Sequence, residues 1–252
     1  MSEPRLLVDD REVEGGVVRV LRMRRPEARN AMDTAMLAAL VDGLAGAAGD
    51  DRVRGVLLTG AGGVFSAGAD IREELADGGA RRTELFTTFY EALSTHPRPT
   101  AAAIEGAAVG GGAEAAAACD LRVAGRSARI RFPGAIYGIP VGTARTLGQV
   151  GLGTAKDWVL SSRDVGAGEA HDAGFLQRLV DDGEAEAAAL EWLALVATRD
   201  GPTVARLKKA FNVLAGLEDR VAWENDAMRA LHDDVPPLPP GPFGMPAGGQ
   251  EV

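Results

Sequence analysis

The chain has 252 residues, a formal net charge of −9 and one cysteine, Cys119. Its hydrophobic content of 46% and charged content of 25% are typical of a globular protein that buries a sizeable core. The acidic balance argues against a nucleic-acid partner, and a single cysteine excludes an internal disulfide. Because no apolar run approaches membrane-spanning length and the start has no apolar signal region, we expect a cytoplasmic protein with no membrane partner.

The first half of the chain alternates strand-like and helix-like patterns. A helix is expected after Asp33, with Leu37, Leu40 and Leu44 on its buried face, and a second helix carries Phe86 and Phe89. The order of elements and the absence of a hairpin signal predict parallel strands joined by right-handed crossovers. Strands are predicted over residues 17–23, 53–59, 100–104, 121–124 and 128–132.

The second half is mainly helical. Helices are predicted over residues 154–161, 167–173, 184–198 and 203–216, and residues 235–252 form a Pro- and Gly-rich tail that we expect to be disordered. We therefore divide the chain into a core over residues 1–198, a C-terminal helical region over residues 199–234 and the tail. The last of the four helices has one apolar face, made of Val204, Leu207, Phe211 and Leu214.

Three consecutive glycines, Gly110, Gly111 and Gly112, stand between a short apolar strand and an alanine-rich helix. Glycines let the backbone approach a ligand closely, and the first N–H groups of a helix have no intrahelical partner. Such a turn favours a negatively charged oxygen, and Glu114 lies within one helical turn of it. By itself the segment is equally consistent with a packing turn or with an anion-stabilising backbone beside a base.

A second glycine-rich loop follows the strand at residues 53–59. Its start, Leu58-Thr-Gly-Ala-Gly-Gly63, is similar to a dinucleotide-binding turn, but that pattern needs a small residue where Phe65 stands and a helix that begins at once. We therefore expect no nicotinamide cofactor. The spacing of histidine and acidic residues also predicts no metal site.

Two segments together resemble the enoyl-CoA hydratase/isomerase (crotonase) superfamily. They are Phe65-Ser-Ala-Gly-Ala-Asp-Ile71 and Ile104-Glu-Gly-Ala-Ala-Val-Gly-Gly-Gly-Ala-Glu114. Supporting matches are Arg25-Pro-Glu-Ala-Arg-Asn-Ala31 and Ala167-Gly-Glu-Ala-His-Asp-Ala-Gly174. The resemblance covers residues 10–216. It implies an α/β fold of the ClpP/crotonase type, a spiral of ββα units with a C-terminal helical trimerisation region, assembled as a homotrimer or dimer of trimers.

The resemblance also implies an acyl-CoA thioester as substrate, with no separate cofactor. The thioester oxygen would lie between the amides of Ala69 and Gly111, with Glu114 as base or water-positioner. The implied substrate-binding residues are Arg29, Ala31, Ser66, Ala67, Gly68, Ala69, Asp70, Ile71, Gly110, Gly111, Pro133, Gly134 and Tyr137. Lys208 and Lys209 match a helix that contacts CoA phosphates in the family, although a solvated helix face is the favoured interpretation.

One departure limits the expected chemistry. Hydratases of the family carry a second glutamate after a proline, and here Gly134 follows Pro133, with no carboxylate between Asp120 and Lys156. An enoyl-CoA hydratase-like enzyme is expected. Alternatives are an isomerase, a thioester hydrolase, a decarboxylase or a CoA-ligand-binding protein that has lost its chemistry.

The other polar side chains considered are expected to have structural rather than catalytic roles. Tyr137 is expected to be a buried aromatic with a satisfied hydroxyl, although it could donate a proton, and Arg145 is expected to cap or pair. His96, His171 and His232 are scattered and are not expected to be catalytic.

The helix dipole is expected to keep Glu114 ionised, which makes it a plausible base and a poor proton donor. With no matched acid, weak hydratase activity is expected, and Gly134→Glu is expected to raise it if the loop holds the side chain.

Overall fold

A computed structural model describes residues 4–234, which contain nine strands and ten α-helices. The predicted tail, residues 235–252, lies outside the described residues, and the domain boundary at residue 198 stays a prediction. The strands are β1 (Leu6–Val13), β2 (Gly16–Met23), β3 (Val53–Gly60), β4 (Thr100–Ile104), β5 (Ala107–Val109), β6 (Leu121–Gly125), β7 (Arg129–Arg131), β8 (Val165–Gly166) and β9 (Arg178–Val180). The helices are α1 (Thr34–Ala48), α2 (Ala80–Ser94), α3 (Gly111–Ala118), α4 (Gly134–Tyr137), α5 (Thr143–Thr146), α6 (Leu152–Ser161), α7 (Ala167–Asp172), α8 (Ala185–Ala197), α9 (Gly201–Leu214) and α10 (Leu217–Asp234).

The larger sheet has six strands in the order β1-β2-β3-β4-β6-β9, and all neighbouring pairs except β1 with β2 are parallel. Successive side chains of a strand point to opposite faces. On one face Val20, Leu57 and Ala101 pack beneath α8, and on the other Leu21 and the buried side of α1 belong to the main core. A sheet covered on both faces explains the nearly continuous apolar runs of its central strands.

The structure contains a hairpin for which no signal was recognised in the sequence, so not all strands are parallel as predicted. β1 and β2 form an antiparallel pair joined by a tight turn at Glu14 and Gly15. Gly15 and Gly16 have φ values of 93° and 146°, which glycine adopts at little cost. The pair of glycines was the available signal, but the polar residues of β1, which is largely solvent-exposed, hid the first strand.

Most of the predicted elements are confirmed, and the local signals explain why. Asp33 caps α1 by accepting a hydrogen bond from Met36 N at 2.9 Å. Phe86 and Phe89 are buried on α2 as expected. Cys119 is buried at the end of α3, and burial raises the pKa of its thiol to about 12. Apart from β1, the unpredicted elements β5, β8, β9, α4 and α5 are all five residues or shorter.

The loops after β3 and β4 meet at one edge of the molecule, because both strands run in the same direction and end there. The smaller sheet, in the order β5-β7-β8, continues from the second of these loops. The two loops are joined by Phe65 N to Glu105 O at 2.8 Å and by Ser66 N to Ala107 O at 2.9 Å. This edge holds both of the glycine-rich motifs.

The C-terminal helices complete the described structure. Helix α10 folds back onto α2 and α5, whereas α9 leaves Leu207, Phe211 and Leu214 between 55% and 85% exposed. None of the helices in residues 4–234 combines the length and the apolar character needed to cross a bilayer.

The favoured interpretation of Lys208 as part of a solvated face is wrong, whereas Lys209 is exposed as expected. Lys208 Nζ lies 2.7 Å from Asp120 Oδ2 and donates to Arg98 O at 3.1 Å. Its side chain is only 9% exposed, so Lys208 is largely enclosed where it meets these acceptors.

Candidate active site

The loop at residues 66–70 is held rigidly before it reaches the site. Ser66 is fully buried; its hydroxyl donates to Asn30 O at 2.8 Å and accepts from Gly68 N at 3.1 Å. Asn30 is itself buried in a left-handed conformation, and its side chain donates to Ala61 O and Val64 O. The loop conformation is therefore fixed by buried polar groups that are all paired.

Each of the three consecutive glycines is required for a different reason. Gly110 has a φ of 52°, which favours glycine. A Cβ on Gly111 would lie 2.8 Å from Phe86 Cε1, and a Cβ on Gly112 would lie 2.6 Å from Ser66 O. The glycines thus let α3 begin in direct contact with both α2 and the loop at residues 66–70.

The amides of Ala69 and Gly111 both lack an acceptor within residues 4–234. Ala69 and Met32 form a parallel β-bridge, whose hydrogen bonds are made by the residues on either side of Ala69. Met32 N donates to Gly68 O at 2.7 Å, and Asp70 N donates to Met32 O at 2.9 Å. In such a pairing the Ala69 N–H points away from Met32. The two loops touch at this point, because a Cβ on Gly68 would lie 3.0 Å from Gly111 N.

Glu114, in the first turns of α3, is 1% exposed. Its Oε2 accepts from Arg145 Nε at 2.8 Å, and its Oε1 has no partner in the described part of the chain. Burial raises the pKa of Glu114 to about 7, with the charge of Arg145 opposing this and the charge of Glu224 adding to it. This raised pKa is opposite in direction to the shift expected from the helix dipole, and desolvation is its largest cause.

Arg145 connects Glu114 to Glu224, a carboxylate on α10 that is also fully buried. Oε2 of Glu224 accepts from Thr143 N at 2.7 Å, Thr143 Oγ1 at 2.8 Å and Ala144 N at 2.9 Å, while its Oε1 bonds to Arg145. The guanidinium carbon of Arg145 lies 4.4 Å from the centre of the Tyr90 ring. Pairing was predicted for Arg145, but neither of its carboxylate partners was identified.

Position 134, where the resemblance implied a second glutamate in hydratases, has no room for a side chain in this structure. Gly134 is the first residue of α4, after Pro133, and a Cβ there would lie 2.5 Å from Ile139 O and 3.0 Å from Val141 Cγ2. The loop then brings Gly142 against Glu114, where a Cβ would be 3.1 Å from Oε1. A glutamate at position 134 therefore requires the segment at residues 139–141 to move, so the condition placed on the predicted rate gain, that the loop holds the side chain, needs a rearrangement.

The remaining residues assigned to substrate binding lie along the same edge. Ala67 N donates to Arg29 O at 2.9 Å, which places Arg29, an exposed side chain, beside the loop at residues 66–70. Ala31 is buried, Ile71 is 73% exposed, and Asp70 pairs with Arg25 at 2.8 Å. The carboxylate of Asp70 is thus committed to holding the loop.

Two further predictions concern polar side chains. Tyr137 is half-buried where a buried aromatic was expected, and its hydroxyl makes no hydrogen bond to another described residue. His96 is buried, and its two ring nitrogens lie within hydrogen-bond distance of Arg98 O and Leu44 O. His171 is exposed on α7. The side chain of His232 lies outside the described residues. Residues 4–234 contain no group of three or more histidine, cysteine or acidic side chains suited to a metal ion.

The buried side chains around Arg145 that the sequence did not reveal are Glu224 and Tyr90. Both come from elements distant in sequence from the glycine-rich motifs, and helical spacing marks them only as positions on α10 and α2. A single glutamate on an amphipathic helix is weak evidence, in sequence alone, for a buried charge. The one available clue was Glu114 itself, since a buried carboxylate requires a partner.

The geometry and the comparisons with known proteins agree on the class of protein. The sequence profile of the enoyl-CoA hydratase/isomerase family matches residues 12–234. The enoyl-CoA hydratase EchA19 of Mycobacterium tuberculosis is 34% identical over 212 residues, covering 80% of this chain and 77% of that protein. The 2,3-dehydroadipyl-CoA hydratase of Escherichia coli is 36% identical over 163 residues, covering 63% and 64% respectively.

Solved structures of the same class share the fold. An enoyl-CoA hydratase/isomerase from Xanthobacter autotrophicus superposes with a TM-score of 0.80 at 26% identity, over 92% of this chain and 87% of that one. An enoyl-CoA hydratase from Bacillus anthracis gives a TM-score of 0.78 at 28% identity, over 92% of each chain. The predicted crotonase-type α/β fold with a helical C-terminal region is confirmed. The chain belongs to the enoyl-CoA hydratase/isomerase family and is an enzyme of the acyl-CoA-processing kind.

Proposed function

We propose that the protein acts on an acyl-CoA thioester by stabilising negative charge on the thioester oxygen and moving a proton with Glu114. The observation that carries this proposal is the pair of unpartnered amides, Ala69 and Gly111, on two touching loops next to a buried carboxylate. Backbone donors aimed at one oxygen stabilise an oxyanion or enolate strongly, because they are fixed before the reaction begins. Turnover needs no cofactor beyond the CoA of the substrate.

The first candidate reaction is hydration of an enoyl thioester. A water molecule forms a bond to the β-carbon while ionised Glu114 takes one of its protons, and the electron pair of the double bond moves toward the thioester oxygen. The α-carbon of the enolate then takes a proton back from protonated Glu114, which restores the thioester carbonyl and the ionised carboxylate. A pKa of about 7 lets Glu114 accept the first proton and release it again near neutral pH. Because no second carboxylate lies at position 134, we expect hydration to be slow but measurable.

The second candidate is double-bond isomerisation, and the lone carboxylate specifically favours it. Isomerisation moves one proton from the carbon on one side of the enolate to the carbon on the other, so one group that gains and loses a proton is sufficient. Glu114 with its unpartnered Oε1 is such a group. Thioester hydrolysis, decarboxylation and ligand binding without turnover remain alternatives within the same fold.

The deciding experiment offers 2-enoyl and 3-enoyl CoA thioesters of short and medium length to the purified protein in heavy water, without added metal or cofactor. Hydration adds the elements of one heavy-water molecule, isomerisation moves the double bond without adding them, and hydrolysis releases free CoA. Calorimetric binding without any product identifies a ligand-binding protein. If the protein neither binds nor turns over any of these thioesters, the proposal is overturned.

We further propose that the protein assembles as a homotrimer or a dimer of trimers through the exposed apolar face of α9. Leu207, Phe211 and Leu214 present a contiguous apolar stripe that water disfavours. Sedimentation velocity at micromolar concentration should give a trimer or hexamer. A stable monomer would contradict this assembly.

A further inference from the structure

The catalytic carboxylate is connected to the C-terminal helix by a chain of three fully buried charges. Glu114 on α3 binds Arg145 on α5, and Arg145 binds Glu224 on α10. These three side chains are at most 1% exposed. Burying one charge without a partner is costly, so the three side chains have to be placed together.

Glu224 is held more firmly than a simple ion pair requires. Three donors from Thr143 and Ala144 lock one of its oxygens, and Arg145 occupies the other. Arg145 is in turn held flat against Tyr90. The guanidinium therefore has one orientation, with Nε aimed at Glu114 and one terminal nitrogen aimed at Glu224.

We propose that Arg145 and Glu224 are positioning residues, which fix the Glu114 carboxylate with one oxygen bound and the other, Oε1, free to meet the substrate. This proposal rests on the proposed function of Glu114. It assigns to α10 a contribution to the reaction centre. The proposal is based on the difference between the two carboxylate oxygens of Glu114. Oε2 is bound to Arg145, whereas Oε1 is buried and has no partner among the described residues.

The charges that face Glu114 also determine the sign of the expected effects. Arg145 comes from α5, Glu224 from α10 and Tyr90 from α2, while β4 and β5, which also pack against α3, carry no titratable side chain. The charge of Glu224 raises the pKa of Glu114 and that of Arg145 lowers it. Removing the charge of Glu224 should therefore lower the pKa of Glu114, and removing the charge of Arg145 should raise it.

The test is an infrared titration of the Glu114 carboxyl, isolated as the difference between each protein and its Glu114→Gln counterpart. In Glu224→Gln the midpoint should fall below the wild-type value of about 7, because Arg145 then serves Glu114 alone. In Arg145→Met it should rise. Each shift should be about one pH unit or more, the size that a neighbouring charge produces. Glu218→Gln, an exposed position on the same helix, is the matched control and should not shift the midpoint.

The acid limb of the kcat/KM profile should move with the infrared midpoint in each variant. A merely structural role would lower kcat at every pH without moving either midpoint, and that result would overturn the inference. Thermal melting of each variant shows whether it is folded, and Arg145→Met with Glu224→Gln supplies an isoelectric double variant if one single variant does not fold. If the wild type turns over no thioester but the midpoints shift oppositely, the proposed function fails while the charge coupling stands.

Discussion

The two sides of the candidate site are built in contrasting ways. The oxyanion side consists of backbone amides on two short glycine-rich loops, fixed by local turns and by Ser66. The acid–base side consists of side chains, and its charges come from α3, α5 and α10. The first side is therefore tolerant of side-chain substitution except at its glycines. The second depends on the relative placement of three helices.

The largest expected effect is on the acid–base side. Glu114→Gln removes the proton acceptor, and we expect kcat/KM to fall roughly 10²- to 10⁴-fold. In the wild type the base is active when ionised, so kcat/KM should rise with pH to a plateau, with a midpoint of about 7. Steady-state kinetics across neutral pH measure both effects. A profile that is flat through this range would show that Glu114 is not the base.

A somewhat smaller effect is expected on the oxyanion side. Gly111→Pro removes an amide proton and should lower kcat/KM roughly 10²- to 10³-fold relative to a control that keeps it. Gly111→Ala is that control, because its Cβ meets Phe86 just as the proline Cβ does while the N–H remains. Kinetics and thermal melting of the two variants separate the lost donor from the crowding. Equal activity in the two variants would remove Gly111 from the oxyanion hole.

A third substitution examines whether the acid–base side can accept a second carboxylate. Gly134→Glu supplies the carboxylate of a two-glutamate hydratase, but its Cβ would lie 2.5 Å from Ile139 O. We expect a lower melting temperature and no gain in crotonyl-CoA hydration. Gly134→Ala introduces the same Cβ without the carboxylate and is the control. A gain in rate with Glu but not with Ala would show that the segment at residues 139–141 moves aside.

The smallest effect is on stability. The pKa of Glu114 is about 7 in the folded protein, above its ordinary value of 4.5, so folding takes up a proton between these pH values. The free energy of unfolding should therefore fall as pH rises through this window. Glu114→Gln lacks this proton and should gain stability relative to the wild type between about pH 5 and about pH 8, measured by urea unfolding. An unchanged difference across the window would contradict a raised pKa.

The same contrast explains what the sequence could predict. The glycine-rich loops were identified because their residues are contiguous and because turns impose local chemistry, and the loop at residues 66–70 does lie in contact with the start of α3. The partners of Glu114 were missed because Arg145 and Glu224 are brought together only by the packing of α10. The raised pKa of Glu114 was not foreseen, for the same reason. A helix dipole can be inferred locally, whereas burial depends on the whole fold.

The ion pair between Lys208 and Asp120 has a consequence for the chemistry of lysine. The chain has three lysines, and Lys156 and Lys209 are exposed while Lys208 is enclosed by Asp120 and Arg98 O. An amine-reactive reagent should therefore modify Lys156 and Lys209 quickly, but Lys208 only when α9 separates from the sheet. Peptide mass analysis of the labelled protein makes Lys208 a built-in reporter of that opening, with its neighbour Lys209 as the internal reference.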